Sequence, residues 1–501
     1  MDYHRVDGQG LSVAIALARL PAKVPVTDPR YGGPVLINPG GPGGSGVLQA
    51  LLSARNLQTI MDAEESPETA NTTAQYFDVI GFDPRGVNNT TPGFSCFPNL
   101  FTQKVWELQM EADGMLGSSD NAFMRHWQRS QALNPGCSMA LATPSEGEDE
   151  ALGNHINTPP VARDMLEITE RHAEWREKQG QVHQKLQDRA HGHDPQQSIA
   201  ERMRWKRGQE RLLYWGRSYG TALGTTFATM FPDRIARGVL DGVVDVDKYY
   251  TGQGANPIMD ADAIFDRFGL YCDAAGPDNC PLYTHGGPGS IKEAILAVDA
   301  SVHNASIPVV ASSTRGPELI TWTDIRILLR IALYQPLSTF PLLAQTLAQI
   351  EQGDGAVMAD TKQSSRSPSC PSNQCQRMGP WSTACHDPRE NELYASSAIL
   401  CSDAEYMSDI DEAGFLAYWD ELKRDSRMIG DDWAHLRMSC VGWKARAKWR
   451  LEGPFTGNTS HPLLFVSNTL DPVTPLRSAR KMASSFPGSV VLEQDSEGVR
   501  Y

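Results

Sequence analysis

Short apolar segments and longer helix-like stretches alternate along this chain. Seven of the apolar segments predict β-strands, at residues 11–20, 34–38, 77–82, 211–215, 237–241, 462–467 and 489–492. The stretch at 221–230, which follows one of these segments, is small, apolar and helix-like. Strands that are followed by helical sequence favour a mostly parallel sheet with helices on both faces. The sequence therefore predicts an α/β fold.

Two long inserts interrupt the predicted sheet and divide the chain. Residues 103–210 are polar and helix-like, and their charged part is typical of solvated helix faces. Residues 245–457 contain seven of the nine cysteines and lie where a lid subdomain would sit. The rest, residues 1–244 apart from the first insert and residues 458–501, is predicted to form the two parts of the core.

The composition is that of an ordinary globular protein, with 40% hydrophobic and 21% charged residues. The formal net charge of −15 and the lack of a basic stripe argue against a nucleic-acid ligand. The sequence has no run of about 18 uncharged apolar residues, so we predict no membrane span. Residues 1–20 predict a strand and not a signal peptide. No motif indicates a cofactor, so none is predicted, and the oligomeric state is left open.

The nine cysteines favour disulfides over a metal site. They form no pair of CxxC clusters, which makes a structural zinc site improbable, and buried free thiols are the alternative to disulfides. Residues 363–376, rich in Ser, Pro and Cys, predict a loop held by Cys370, Cys375 or Cys385. Glycosylation sequons compatible with secretion occur at Asn71, Asn88, Asn89, Asn304 and Asn458.

A GxSxG motif, spelled GRSYG at residues 216–220, stands between a predicted buried strand and a helix. Glycines two residues either side of the serine permit a strained strand-to-helix turn that lifts the hydroxyl above the sheet edge. We therefore predict Ser218 as a nucleophile. A chance match is the alternative in a chain with 43 glycines, and the flanking strand and helix favour the nucleophile.

A glycine-rich segment, NPGGPGGSG at residues 38–46, follows an earlier strand. In this position backbone N–H groups can bind a developing oxyanion, and we predict Gly41 and Tyr219 as the two donors. A phosphate-binding loop is the alternative, but neither a Gly-Lys-Ser/Thr ending nor GxGxxG with a later acidic partner is present. A second segment, HGGPG at 285–289, follows no strand and is predicted to be a turn in the lid.

The acidic partner of the serine should follow a late strand, and Asp471 in NTLDPVTP fits this place. Its alternative role is to cap the helix that begins near Pro475, which Thr474 could do equally well. The histidine should follow the next strand, but no histidine occurs after His461, which lies before the acid strand and is predicted to be a strand-start or surface residue. The other histidines are expected to be solvated or packed.

Five motifs are spread over nearly the whole chain: INPGGPGGSG at 37–46, FDVIGFDPRGVNNTTP at 77–92, VARDMLEI at 161–168, YWGRSYGT at 214–221 and NTLDPVTP at 468–475. Together they resemble the tripeptidyl aminopeptidase branch of the α/β-hydrolases. This branch is related to prolyl iminopeptidases and consists of secreted enzymes of actinobacteria and fungi, and the chain looks most like a fungal member.

The resemblance implies an α/β-hydrolase fold with a lid and a C-terminal region typical of the branch at about 385–501. It implies a Cys401–Cys440 disulfide, an extracellular glycoprotein, and peptide substrates with a free N-terminus. Lid carboxylates should pair with the substrate ammonium group, with Asp403 and Glu405 as weak candidates. In such enzymes the histidine follows a glycine like Gly498, so histidine is expected where this chain has Val499.

The missing histidine leads to three expectations. The chain as given should be nearly inactive, because loss of a triad base costs several orders of magnitude. Both ends are expected to come from an imperfect gene model, with residues 499–501 translated from an intron and Met1 an internal methionine. An esterase with the same apparatus, or a peptide-binding protein without catalysis, are the alternative functions.

Overall fold

The computed structural model describes residues 2–4, 10, 12–144, 149–191, 198–252, 256–366, 373–379, 382, 391–405 and 409–499. The strands are β1 Leu17–Leu20, β2 Tyr31–Asn38, β3 Tyr76–Phe82, β4 Leu212–Arg217, β5 Ile235–Asp241, β6 Ile307–Val309, β7 Glu318–Ile320, β8 Leu463–Leu470 and β9 Val490–Glu497. One sheet has the order β1-β3-β2-β4-β5-β8-β9. All its pairs are parallel except β1 with β3, so the predicted mostly parallel sheet is confirmed.

Helices connect the strands of the sheet and make up most of the inserted regions. They are α1 Gly46–Met61, α2 Leu100–Asp113, α3 Ala122–Ala142, α4 Thr158–His191, α5 Ile199–Arg202, α6 Tyr219–Met230, α7 Val246–Thr251, α8 Ala261–Ala275, α9 Pro288–Asn304, α10 Trp322–Tyr334, α11 Pro336–Glu351, α12 Ala356–Arg366, α13 Asn373–Met378, α14 Glu392–Asp403, α15 Glu412–Asp425, α16 Gly430–Met438 and α17 Leu476–Ser484. Within the described ranges, no helix is long and apolar enough to cross a membrane.

Glycines bring α1 and β3 into direct backbone contact. A Cβ atom on Gly81 would lie 1.8 Å from the carbonyl oxygen of Gly46, and one on Gly46 would lie 2.2 Å from the carbonyl oxygen of Phe82. Ser45 caps α1 with its hydroxyl, which accepts from the N–H of Leu48. This close approach fixes the start of α1, and with it the glycine-rich segment that leads into the helix.

The apolar side chains form two large cores. The first packs the helices α4 and α6 onto the sheet, and it includes Val161, Met165, Leu223, Phe227 and Phe465. The second lies among the helices inserted between β5 and β8, and it includes Ile264, Phe268, Ile325, Leu347 and Phe415. The start of α4 lies within the insert predicted at 103–210, yet it belongs to the first core. This part of the insert therefore packs on the sheet and is not a solvated helix face.

The structure corrects three boundaries. The first strand begins at Leu17 and not at residue 11, which lies outside the described residues. The segment 363–376, predicted as a loop, contains the end of α12 and the start of α13, while Cys370 and Cys385 lie outside the described residues. The last strand, predicted to end at 492, continues to Glu497.

Disulfides join Cys96 to Cys137, Cys272 to Cys280 and Cys401 to Cys440. The third pair is the one that the family resemblance implied. It ties α14 to the turn that follows α16, two parts of the chain that lie beside the catalytic cavity described below.

Candidate active site

Ser218 stands at a sharp turn between β4 and α6. Its backbone has φ 52° and ψ −124°, a conformation that is costly for a residue with a side chain. Its N–H donates to the carbonyl of Asp241 at 2.9 Å, and its own carbonyl accepts from the N–H of Thr221 at 2.8 Å. A Cβ atom on Gly216 would lie 2.4 Å from the carbonyl oxygen of Gly220. The strained turn therefore depends on both glycines of the motif.

The glycine-rich segment after β2 packs directly against this turn. Gly40 has φ +96°, and a Cβ atom there would lie 2.5 Å from the carbonyl oxygen of Arg217 and 2.9 Å from Cβ of Ser218. The next residue, Gly41, has φ +111° and lines one cavity together with Ser218 and Tyr219. Among the described residues, the N–H of Gly41 has no hydrogen-bond acceptor. It is thus available to an oxygen atom bound beside Ser218.

This cavity, called the catalytic cavity below, has a volume of about 720 Å³. The turn at Ser218 forms its base, and residues of α7, α10, α14, α15, α16 and α17 form its walls. Five basic and two acidic side chains line it: Lys248, Arg330, Arg437, Arg477, Lys481, Asp245 and Asp432. The inserted helices therefore supply much of the surface that a substrate would meet.

Asp471 follows β8 and is almost completely buried. One carboxylate oxygen accepts from the N–H groups of Val473 at 3.0 Å and Thr474 at 2.7 Å, and the other accepts from the Thr474 hydroxyl at 2.8 Å. A Cβ atom on Gly242 would lie 3.1 Å from Oγ1 of Thr474 and 3.8 Å from the amide nitrogen of Ser218. The turn that begins with Asp471 therefore adjoins the serine turn. The N-cap of α17 is Pro475, so Asp471 does not cap this helix.

The position predicted for histidine lies at the same end of the sheet. The N–H of Gly498 donates to the carbonyl of Leu470 at 2.9 Å, next to Asp471 in the chain. The N–H of Val499 donates to the carbonyl of Tyr334, the last residue of α10, at 2.8 Å, and Tyr334 is part of the cavity wall. Val499 itself is buried. Residue 499 is therefore placed between the acidic turn and the cavity wall, but its side chain cannot accept a proton.

Comparison with known proteins agrees with this geometry. Residues 33–255 match the family described as alpha/beta hydrolase fold, and residues 426–500 match the family described as TAP-like protein. The chain has the alpha/beta hydrolase fold.

Two relatives span most of this hydrolase. Tripeptidyl aminopeptidase of Streptomyces lividans is 26% identical over 475 residues, which cover 93% of this chain and 70% of the relative. Serine protease Hip1 of Mycobacterium tuberculosis is 24% identical over 510 residues, which cover 98% of this chain and 78% of the relative. Carboxylesterase B of Mycobacterium tuberculosis is 36% identical over 97 residues only, which cover 19% of this chain and 15% of the relative. At family level the hydrolase is related to serine peptidases.

One histidine of the hydrolase lines the catalytic cavity, and the sequence analysis did not single it out. This residue, His435, lies on α16, and its ring meets that of His126 at a centroid distance of 4.6 Å. Its Nδ1 atom is buried and has no hydrogen-bond partner among the described residues. Burial lowers the pKa of His435 to about 3, helped by the nearby cations. It is therefore uncharged at neutral pH and weak as a base. No local pattern marks it, because only the packing of α16 brings it to the cavity.

The two carboxylates expected to meet a substrate ammonium group do not line the cavity. Asp403 is buried, and it accepts hydrogen bonds from the N–H and hydroxyl of Thr158 at 3.0 and 2.5 Å and from the Tyr249 hydroxyl at 2.9 Å. The Thr158 hydroxyl is also 2.5 Å from the hydroxyl of Tyr219. Asp403 is thus linked through Thr158 to Tyr219, the residue that follows Ser218. Glu405 lies within 4.0 Å of Arg450 instead.

Burial raises the pKa of Asp471 to about 6, although three hydrogen bonds oppose the shift. Between the usual pKa of 3.8 and about 6, the folded hydrolase keeps a proton that the unfolded chain has lost, so this group lowers stability as pH rises through that window. We expect Asp471→Asn, which cannot ionise, to remove this loss. Between pH 4 and pH 7 the unfolding temperature of Asp471→Asn should therefore rise relative to that of the parent.

The comparison has a built-in control. Asp403, whose pKa burial also raises to about 6, is present in both proteins and cancels in the difference. A constant difference across this pH range would show that Asp471 is already ionised at pH 4.

Proposed function

We propose that this hydrolase uses Ser218 as its nucleophile, with Asp471 as the acidic member of the triad and the N–H groups of Gly41 and Tyr219 as the oxyanion hole. The strained turn of Ser218 against the glycine-rich segment, open to one large cavity, carries this proposal. The position of Asp471 on a neighbouring turn and the match to serine peptidases support it.

The reaction follows from these positions. With a histidine at position 499 held by Asp471, Oγ of Ser218 would attack the substrate carbonyl carbon while this histidine takes its proton, and the carbonyl oxygen would become an oxyanion bound by the two N–H groups. The histidine then gives the proton to the leaving amine as the C–N bond breaks. Water attacks the acyl-enzyme in the same way and releases the acyl product, which restores the serine hydroxyl.

We propose peptides with a free N-terminus as substrates, cleaved near that end in the manner that the name tripeptidyl aminopeptidase describes. The support is the relative's similarity over most of both chains and a cavity large enough for a few residues. The disulfides further support a location outside the reducing cytosol. A glycan on a sequon asparagine of the secreted protein, detected by mass spectrometry, would test the location.

A polypeptide with valine at 499 should turn over substrates very slowly. Loss of one triad member leaves only the rate enhancement of the oxyanion hole and of binding, about 10³–10⁴ over water in enzymes of this kind. His435 should not replace the missing base, because its depressed pKa makes it a poor proton acceptor at neutral pH. Rapid cleavage of a tripeptidyl substrate by residues 1–501 would contradict this part of the proposal.

The substrate class can be tested by comparing three chromogenic substrates of the Val499→His variant. We expect a tripeptidyl p-nitroanilide with a free N-terminus to be cleaved with at least about tenfold higher kcat/KM than its N-acetylated form, because an ion pair or charged hydrogen bond contributes about 1.5–3 kcal/mol. A p-nitrophenyl ester serves as the third substrate. Equal rates on free and blocked peptides with faster ester cleavage would favour a carboxylesterase, the function named for one partial relative.

A binding protein without catalysis gives a different result. It would bind the free peptide in calorimetry, yet Val499→His would not raise its turnover. The same measurements therefore separate the peptidase, the esterase and the binding protein.

A further inference from the structure

Arg437 is a cation of the catalytic cavity that no carboxylate of the described part of the chain neutralises. It lies near the end of α16, and its guanidinium stacks over the ring of Tyr418 at 4.6 Å from the centroid. Its Nε atom is buried and has no hydrogen-bond acceptor, and no carboxylate of the described residues lies within ion-pair distance. The exposed Glu421 acts on it only from farther away.

A second guanidinium of the cavity faces a carboxylate without forming a hydrogen bond to it through Nε. Arg330 on α10 lies with Nε 3.6 Å from a carboxylate oxygen of Asp432, too far for a hydrogen bond, and this Nε is also buried without an acceptor. The Nε edge of a guanidinium, together with one Nη atom, is the edge that binds a carboxylate in bidentate fashion. Both guanidinium groups therefore have a hydrogen-bond donor that the described residues do not use.

The charge of the cavity contrasts with that of the whole protein. The chain carries a formal net charge of −15, yet basic side chains outnumber acidic ones on the cavity wall. Lys481 is paired with Asp245 and Asp247, and Arg477 is paired with Asp260. Among the described residues, Lys248 and Arg437 have no ion pair. The positive charge of the cavity is thus not neutralised from within.

Packing alone does not explain Arg437. Stacking on Tyr418 and attraction to the C-terminal end of α16 would both stabilise a cation here, but neither uses the buried Nε donor. A buried donor without an acceptor costs free energy, and such a cost is typical of groups that meet a ligand.

We propose that Arg437, with Arg330 beside the same cavity, binds a carboxylate of the substrate and thereby selects acidic ligands. The inference deepens the proposed function, since it takes the catalytic cavity as the substrate site. The carboxylate could be an acidic side chain or the C-terminus of a short peptide. Both present the same planar pair of oxygens to the guanidinium.

Calorimetric titration of the full 501-residue chain at pH 7 with three peptides distinguishes these sources. Ala-Ala-Gln-amide has no carboxylate, Ala-Ala-Glu-amide has one on its side chain, and Ala-Ala-Gln with a free C-terminus has one at its end. We expect at least one of the two carboxylate peptides to bind about tenfold or more tighter than the first. The peptide that does so identifies the source.

Arg437→Gln should abolish this preference, and Arg437→Lys should restore part of it. Arg424 is an exposed arginine on α15. Arg424→Gln changes the net charge by the same amount as Arg437→Gln and should leave the preference intact. Because Arg437 leaves a donor unsatisfied, Arg437→Gln should not lower the unfolding temperature, whereas a purely structural arginine would. Equal affinities in the parent, or a preference that persists in Arg437→Gln, would overturn the proposal.

Absence of binding by all three peptides would instead count against the peptidase function. Glutarate then tests the site by itself on the same proteins. Binding of glutarate that Arg437→Gln removes would retain the carboxylate site, and failure of glutarate to bind would overturn it.

Discussion

Replacing Val499 with histidine is expected to raise kcat/KM for a tripeptidyl p-nitroanilide by about 10²–10⁴-fold, the usual contribution of general acid–base catalysis. Backbone hydrogen bonds from Gly498 to Leu470 and from Val499 to Tyr334 already fix the chain that leads to this side chain. They hold residue 499 beside the turn of Asp471 and at the edge of the catalytic cavity. The imidazole would thus lie next to the Asp471 turn without a change in the backbone. Initial rates at pH 8 measure the effect.

Two variants control this experiment. Val499→Gln introduces a polar side chain of similar length that cannot act as a base, and it should stay at the parent's rate. Adding Ser218→Ala to Val499→His should return the rate to the same level, because members of a triad act as a unit. If Val499→His is no faster than Val499→Gln, either Asp471 is not the acidic partner or the base comes from elsewhere.

Asp164→Asn is expected to lower the free energy of unfolding by about 3–5 kcal/mol, as removal of one partner from a buried ion pair does. Arg85 is almost fully buried, and it donates to the two oxygens of Asp164 at 2.6 and 2.8 Å. Without the carboxylate, the guanidinium would remain buried without a counter-charge. Urea denaturation followed by far-UV circular dichroism measures the change.

Two comparisons make the Asp164 result specific. Glu174→Gln removes a partly exposed, paired carboxylate from the same helix, and it should leave the unfolding midpoint nearly unchanged. Replacing Arg85 and Asp164 together by leucine should recover much of the loss, because an apolar pair leaves no buried charge. A double variant that is as unstable as the sum of the single ones would indicate that the two residues do not act as a pair.

The Arg85–Asp164 pair also shows what sequence reasoning could and could not supply. Both residues lie in motifs that carried the family resemblance, DPRG at 83–86 and VARD at 161–164. Their letters are recognisable, but nothing local to either motif indicates that they meet in the core. The serine turn was predictable because its glycines, strand and helix are neighbours in sequence.

The charged wall of the catalytic cavity was not predictable. Arg330, His435 and Arg437 lie on helices whose own patterns are ordinary, and only the packing of the inserted region brings them above Ser218. The end of β9 was missed for another reason. This strand is the last of the sheet, and an edge strand can carry exposed polar side chains such as those of 493–497, which resemble a loop in sequence.

The hydrogen bond between residue 499 and the final carbonyl of α10 has a consequence for engineering. This contact joins the inserted helix α10 to the segment that follows β9. Trimming the insert to make a minimal hydrolase would therefore also release the segment intended to carry the base. A shortened enzyme would need a replacement acceptor at that point. Otherwise a histidine installed there would sample many orientations, and few of them would face the serine.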